Sequence, residues 1–412
     1  MIKTQEQKLL WCLACIQFCL IADFMVLSPM GPILMREFSV GPKELGWLVS
    51  AYTFTAAIAG LLGALFVDRF DRRHALLVLL GLFAIGELAC AVAPNYQVLL
   101  GCRMFCGACA GLTGAMVQTI VGDAIAPERR GAAIGTVMTA FALASVAGVP
   151  IGLFFASHFG WHAPFMFILA CVGLVGVASW RYVPSLSSHL QSDAQMSLSG
   201  LFRPLRSVLR KPNHLRAFGL ITLMMFSSFL VIPFISIYTV ANVHIPEKQL
   251  ALIYFAGGFA TLFTSRFIGK IADKVGAKKM FIGLSLIAVI SIFLTTHLQP
   301  APIWMVLLVS TLFFIVVPAR MIPSGVIVNA AADPHTRGTF LSLSGAIQSL
   351  VQGGASLVAA YIISRNSAGE ILHYDIVGFL SIAFVLFSIV WVGFVRPFSV
   401  VLPSPASSRP NV

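Results

Sequence analysis

Long apolar stretches alternate with short polar segments along the whole chain. The apolar runs fall near residues 8–33, 45–67, 74–94, 97–122, 131–157, 162–183, 215–241, 249–270, 277–297, 302–326, 338–364 and 372–396. Each is close to the ~20 residues that a helix needs to cross a bilayer. Water-filled loops of this length cannot form domains of their own, so the pattern predicts an all-α membrane protein of twelve transmembrane helices. The first run follows only Lys3 and Lys8 and is too long for a signal-peptide core, so it reads as an uncleaved span.

Composition agrees with this pattern. Of 412 residues, 58% are hydrophobic and 10% charged, against roughly 25% charged in soluble proteins. Such a chain cannot cover a water-facing surface of its size. The net charge of +12 raises nucleic acid as a partner, but basic residues gathered on the cytoplasmic side of a membrane protein explain the same excess, so no nucleic acid is expected. With the N-terminus placed in the cytoplasm, the outside loops hold only Arg36, Lys43, Lys248 and Arg365, while Arg103 and Arg320 lie inside spans. The other 21 of 27 Lys and Arg then fall on the cytoplasmic side, which predicts that both termini are cytoplasmic. The eight cysteines all lie in apolar runs and read as small buried hydrophobes, not as a disulfide framework.

An internal repeat divides the chain. ALFVDRFDRR after the second run is answered by GKIADKVGAKK after the eighth. Ile120, Val121, Ala124, Pro127, Arg130 and Gly131 recur as Ile327, Val328, Ala331, Pro334, Arg337 and Gly338, all displaced by 207 residues. The expected organisation is therefore a six-helix bundle over 1–183, a cytoplasmic linker over 184–214, a second six-helix bundle over 215–396 and a cytoplasmic tail over 397–412. Parallel pseudo-symmetric halves place a substrate path between them. In the linker, Leu201, Phe202, Leu205, Val208 and Leu209 recur near helical spacing among Arg203, Arg206, Arg210 and Lys211. That suits an amphipathic helix on an anionic leaflet. The Ser-rich start and Pro204 suit a solvated basic linker equally well.

Over its whole length the chain resembles the major facilitator superfamily. The most specific element is the cytoplasmic loop pattern Gly-x-x-x-Asp-Arg/Lys-x-Gly-x-Arg/Lys. Its second-half copy is nearly complete in Gly269, Asp273, Lys274, Gly276, Lys278 and Lys279. In the first half, Asp68, Arg69, Arg72 and Arg73 remain, but Ala64 and Asp71 stand where glycines belong. The resemblance implies an inner gate. The Asp would pair with a basic residue or a helix N-terminus in one conformation and release it in the other. Arg103, followed by Gly107, Gly111 and Gly114, looks like the Arg-x-x-x-Gly signature of proton-coupled drug antiporters, although Cys106 replaces the usual Gln. Gly148, Pro150 and Gly152 resemble the span-5 motif of exporters in its Gly-Val-Pro-x-Gly form, as in sugar and arabinose-type efflux permeases. These residues permit close helix contact and a bend. Trp161 to Phe165 resemble the family's WRxxF, with His162 in place of Arg.

Ionisable and polar residues within spans mark the candidate chemistry, because each is costly in lipid and needs a partner. Asp23, near the middle of the first span, is the candidate carrier of a coupling proton, with Arg103 tuning it. Glu87 in the third span reads as a weaker candidate, near the outer end and able to reach the interface. Arg320, between Pro318 and Pro323, either attracts an anionic or polar substrate or bonds unwound backbone. Ser344, Gln348 and Gln352 fall on one helical face and, with Tyr52, Tyr238 and Tyr254, are candidates for the substrate path. Cys102, Cys106 and Cys109 on one side of a helix do not make a convincing metal site, and no metal is expected. There is no Walker loop, HExxH or GxSxG, so neither ATP drive nor an enzyme is expected.

The sequence therefore predicts a secondary active transporter of the plasma membrane, in bacteria the inner membrane, working as a monomer by alternating access. It would export a small molecule (a drug, sugar or metabolite) in exchange for protons. The proton gradient would be its energy source, with no cofactor. A proton-coupled importer of a metabolite, amino acid or siderophore is the alternative, and a non-transporting membrane sensor is the reading from a different class.

Overall fold

The computed structural model describes residues 2–67, 70–126, 129–186 and 205–398. Sixteen helices organise them. The first half contains α1 (Ile2–Leu27), α2 (Gly31–Glu37), α3 (Pro42–Val67), α4 (Arg72–Ala91), α5 (Tyr96–Ala124), α6 (Arg130–Leu143), α7 (Val149–Phe159) and α8 (Ala163–Tyr182). The second contains α9 (Pro212–Val231), α10 (Ile235–Ala241), α11 (Glu247–Val275), α12 (Ala277–Thr296), α13 (Ile303–Ala319), α14 (Met321–Ala331), α15 (Arg337–Ile362) and α16 (Tyr374–Trp391). Among the described residues, eleven segments are long and apolar enough to cross a membrane, three of them built from two helices joined across a break or kink. The remaining apolar run is α15, a continuous 26-residue helix whose Ser and Gln positions make it more polar.

The breaks have local causes. The first run ends as a span at Leu27, and Ser28 to Met30 turn the chain into α2, which begins at Gly31-Pro32. Between α6 and α7 the backbone opens into a π-helical turn, Ala144–Gly148, just ahead of Pro150. Proline has no amide hydrogen to continue the ladder, and such turns commonly absorb the mismatch. Pro318 breaks the ladder between α13 and α14 in the same way. At the α11–α12 turn, Gly276 holds φ at 94°, where a side chain would be strained. A two-stranded hairpin, Ser364–Arg365 (β1) against Ile371–Leu372 (β2), connects α15 to α16, and Asn242 fastens it with two hydrogen bonds to Ile371.

Within the first half α3 packs on α5, α4 on α5 and α8, and α1 on α6 and α8. Within the second, α9 packs on α15 and α16, and α12 on α13 and α16. The halves meet along α3 with α15, and along α7 and the π turn with α11. Small residues make these crossings close, as expected where lipid supplies no hydrophobic drive between helices. A Cβ on Gly353 of α15 would run into Thr53 and Phe54 of α3. Ser50 of α3 donates to the Gly353 carbonyl at 2.8 Å.

The contacts across the halves are unequally distributed. At the hairpin face, Arg36 of α2 pairs with Glu247 of α11 at 2.6 Å, and the Lys43 ammonium lies 4.6 Å from the Tyr361 ring. At the face carrying the two termini, the described ion pairs stay within one half: Arg72 with Asp123, Arg129 with Glu6, and Lys211 with Asp333. The structure is therefore fastened across the halves at the hairpin face, and no described ion pair fastens it at the terminal face. Of the linker, 187–204 lies outside the described residues. Its end forms a helical turn over 205–209, and Val208 is buried against the second half, not on an amphipathic surface.

Candidate functional site

The first half encloses a cluster of charge. Asp23 on α1, Glu87 on α4 and Arg103 on α5 are each fully buried. Asn95 caps α5 by accepting from the Val98 amide at 2.9 Å, which sets the register that carries Arg103 inward two turns later. The Arg103 Nη1 donates to Asp23 Oδ1. Its guanidinium lies 4.4 Å from the centre of the Tyr52 ring, which stacks on Phe24 at 5.6 Å and donates its hydroxyl to the Leu20 carbonyl at 3.4 Å. Gly107 makes this possible: a Cβ there would collide with the Tyr52 carbonyl and Thr55, so only glycine lets α5 lie this close to α3. Gly111 repeats the contact against Ala56, whereas Gly114 faces open space.

The cluster is not saturated. Among the described residues, Asp23 Oδ2, both Glu87 carboxyl oxygens, and Arg103 Nε and Nη2 have no hydrogen-bond partner. Glu87 neighbours both Asp23 and Arg103. Its full burial corrects the expectation that it reaches the interface: α4 lies between α5 and α8, and the side chain turns into the bundle. Cys90 and Cys106 border the cluster with their sulfurs 3.9 Å apart. One buried guanidinium thus faces two buried carboxyls, an arrangement whose charge depends on how many protons it holds.

The second half holds a different buried charge. Arg320, fully buried at the α13–α14 break, donates from Nε to the Val317 carbonyl (3.3 Å) and from Nη2 to the hydroxyls of Ser227 (3.3 Å) and Ser228 (3.0 Å) on α9. Nη1 has no partner among the described residues, and none of the described ion pairs includes Arg320. The chain bonds and the open Nη1 leave both sequence readings of this residue standing together.

The other candidates are spread widely. Tyr238 donates to the Leu298 carbonyl at 3.1 Å and packs on Tyr374, and Tyr254 shares a 2.8 Å hydrogen bond with Ser236 and packs on Phe314. Both hydroxyls are thereby engaged inside the second half, away from the Asp23 cluster that Tyr52 joins. On α15, Ser344 is buried and bonds the Phe340 carbonyl, while Gln348 and Gln352 are half-buried. Gly148 closes the π turn and, with Gly152, faces Ala22 and Val26 of α1, so Pro150 and its glycines bring α7 against the helix that bears Asp23.

Of the loop motifs, Asp68 and Arg69 lie outside the described residues. Arg72 is tied to Asp123 at the end of α5 (3.1 Å), and Arg73 donates to the Trp180 carbonyl. Asp71, in a glycine's place, caps α4: it accepts from the His74 amide (3.1 Å) and the Ser185 hydroxyl (2.6 Å). Burial pushes its carboxyl pKa up, but those bonds outweigh burial and hold it below the usual range. In the second half Gly269, Asp273, Lys274 and Lys278 follow α11 into α12, and Asp273, Lys274 and Gly276 are exposed. Asp273 makes no ion pair with any described residue.

Sequence reasoning did not single out Asp123, Ser227 and Ser228, and it expected Glu87 to reach the interface where the structure buries it. The available signal for Glu87 was its charge inside a span. Asp123, Ser227 and Ser228 needed the helix packing.

The sequence profile of the Major Facilitator Superfamily matches residues 13–225 and again 217–411. The "Uncharacterized MFS-type transporter YceJ" of Bacillus subtilis (strain 168) is 25% identical over 383 residues, covering 92% of this chain and 94% of that protein. The "Inner membrane transport protein YdhP" of Escherichia coli (strain K12) is 26% identical over 300 residues, covering 71% and 75%. Among solved structures, an inward-facing, unoccupied bacterial homologue of the human lysosomal transporter Spinster superposes with a TM-score of 0.71 at 16% identity, over 94% of this chain and 96% of that one.

Proposed function

The chain belongs to the major facilitator superfamily, and we propose that this secondary transporter exports a small molecule in exchange for protons. The observation that carries the reading is the Arg103–Asp23 ion pair, buried where α1, α3 and α5 meet. A guanidinium and a carboxylate are expensive to remove from water, and breaking such a pair leaves a charge without compensation. A proton arriving at this cluster therefore changes helix packing as well as charge, which is what coupling requires. The small-residue contacts of Gly148 and Gly152 bring the exporter-type bend of α6–α7 onto the same helix, α1.

The excess of Lys and Arg on the terminal face favours the cytoplasm as its side. Fastened at the hairpin face, the transporter then stands open to the inside, with the exposed Asp273 motif as the released form of the inner gate. The similarity to YdhP, an inner membrane transport protein, agrees with a bacterial inner membrane as the location. In the reverse state, Asp273 and the first-half loop would engage neighbouring helix ends as the hairpin-face contacts part.

A second reading concerns the cargo. Arg320 is buried and pairs with no carboxylate among the described residues, which favours an anionic metabolite over a cationic dye. Efflux of ethidium and of a fluorescent organic anion from a pump-deficient bacterial host tests both readings together. Ethidium efflux abolished by an uncoupler supports polyspecific export. Efflux of the anion alone, lost in Arg320→Gln, supports the narrower cargo. Uptake instead of efflux, measured in right-side-out vesicles, would overturn export.

A further inference from the structure

We infer that Glu87 of α4 is the group that carries the exchanged proton, while Asp23 remains ionised as the fixed partner of Arg103. This rests on the proton-exchange reading above and goes beyond it by naming the acid. The cluster holds two carboxyls and one guanidinium, all fully buried. Arg103 donates to Asp23, so one carboxylate is balanced. Neither oxygen of Glu87 receives a hydrogen bond from any described residue. A bare second carboxylate beside Asp23 would be both unsolvated and repelled, so the cluster is neutral with one proton on Glu87.

The groups around Glu87 leave it this role. From α1 it faces Asp23, with Cys19 nearby. On α4 itself it has Cys90; from α5, Arg103 and Cys106; from α3, Tyr52. On α8, the thiol of Cys171 lies towards Cys19. Among the described residues, Arg103 is the one basic side chain beside Glu87.

The same geometry supplies a place for the proton's departure. Among the described residues, Arg103 Nε and Nη2 have no hydrogen-bond partner. When the O–H bond of Glu87 breaks, its electron pair stays on the carboxylate and the proton passes to water. The two free donors can then turn to the new carboxylate while Nη1 keeps Asp23. Losing the proton thus pulls α4 and α1 onto α5 through one guanidinium, and regaining it loosens that grip. This is a route from protonation to helix movement.

Infrared spectroscopy of the full-length protein in lipid reads the protonation directly. The wild type at neutral pH should show a protonated-carboxyl band that shifts when the protein is made cell-free with 13C-glutamate and stays when made with 13C-aspartate. Glu87→Gln should lose the band. Glu87→Asp, which keeps an acid at the site should the Gln variant fail to fold, should transfer its sensitivity to the aspartate label. Asp23→Asn should also lose the band, because Arg103 then pairs with an ionised Glu87. A band that follows the aspartate label in the wild type, survives Glu87→Gln or survives Asp23→Asn would overturn the assignment, as would its absence from the wild type. Ethidium and organic-anion efflux by the same wild type is scored separately. No efflux together with a glutamate band refutes the export reading and leaves the proton on Glu87.

Discussion

Arg103 Nη1 on α5 reaches Asp23 Oδ1 on α1 across 80 residues of sequence, with both side chains fully buried. The guanidinium lies over the ring of Tyr52 on α3, the helix that also crosses α15 of the second half. Removing Arg103 should therefore cost more than removing either acid. Arg103→Ala leaves buried carboxyls uncompensated and should destabilise the protein by ~3–5 kcal/mol, as typical of a broken buried pair. Thermal unfolding in detergent checks this: a melting temperature equal to that of the wild type would contradict the pairing.

The close approach of α5 to α3 makes a differential prediction. Gly107→Ala places a Cβ against the Tyr52 carbonyl and Thr55, whereas Gly114→Ala meets nothing within 4 Å. The first should lower thermal stability and transport together. The second should leave both near wild type and gain slightly from reduced freedom of the unfolded chain, by ~0.4–1 kcal/mol. Equal effects of the two would disprove the contact.

Arg36–Glu247 joins the halves at the hairpin face, and its Arg is largely exposed. Exposed pairs contribute only ~0.2–1 kcal/mol. Glu247→Gln should thus shift the equilibrium toward opening of that face by at most about fivefold, the factor that 1 kcal/mol allows. Spin-label distances between α2 and α11 measure the population. A complete switch of state would mean that this pair, not the α3–α15 crossing, holds the face closed.

The α4 cap titrates. Asp71 has its carboxyl pKa held down in the folded protein by Ser185 and His74, against the opposing effect of burial. A depressed folded pKa contributes stability above the unfolded value, near pH ~3.9, and that stability is lost as pH falls through the folded value. Asp71→Ala should cost ~0.5–2 kcal/mol at neutral pH, as for a lost N-cap. The gap between variant and wild type should narrow only in acid. A gap constant from neutral pH down through that range would show that the carboxylate form is not what caps the helix.

Much of the fold was legible in the apolar runs, because a bilayer admits only internally bonded helices or closed barrels, and continuous apolar runs of ~20 residues fit the helix. The finer breaks were less so. The run over 8–33 concealed the turn at Ser28 to Met30, since its residues stay apolar through α2. The π turn before Pro150 left only a proline as a trace, and the two-residue strands of the hairpin are too short to carry a period. At the site, charges inside spans pointed to Asp23 and Arg103, but only packing could show that they meet. Glu87 was misread because depth along a helix does not reveal which way the helix faces. Arg320 could be found by its charge, whereas Ser227 and Ser228, its partners, sit on α9 and look like ordinary small residues.

The most direct test of proton-driven export is proton flux in everted membrane vesicles, followed by a pH-sensitive dye when ethidium or the fluorescent organic anion is added. The wild type should release protons from an acidified vesicle lumen on addition of its substrate, and Asp23→Asn, present in the membrane at equal amount, should release none. Substrate transport by the wild type without any proton movement, or undiminished release by Asp23→Asn, would contradict the account.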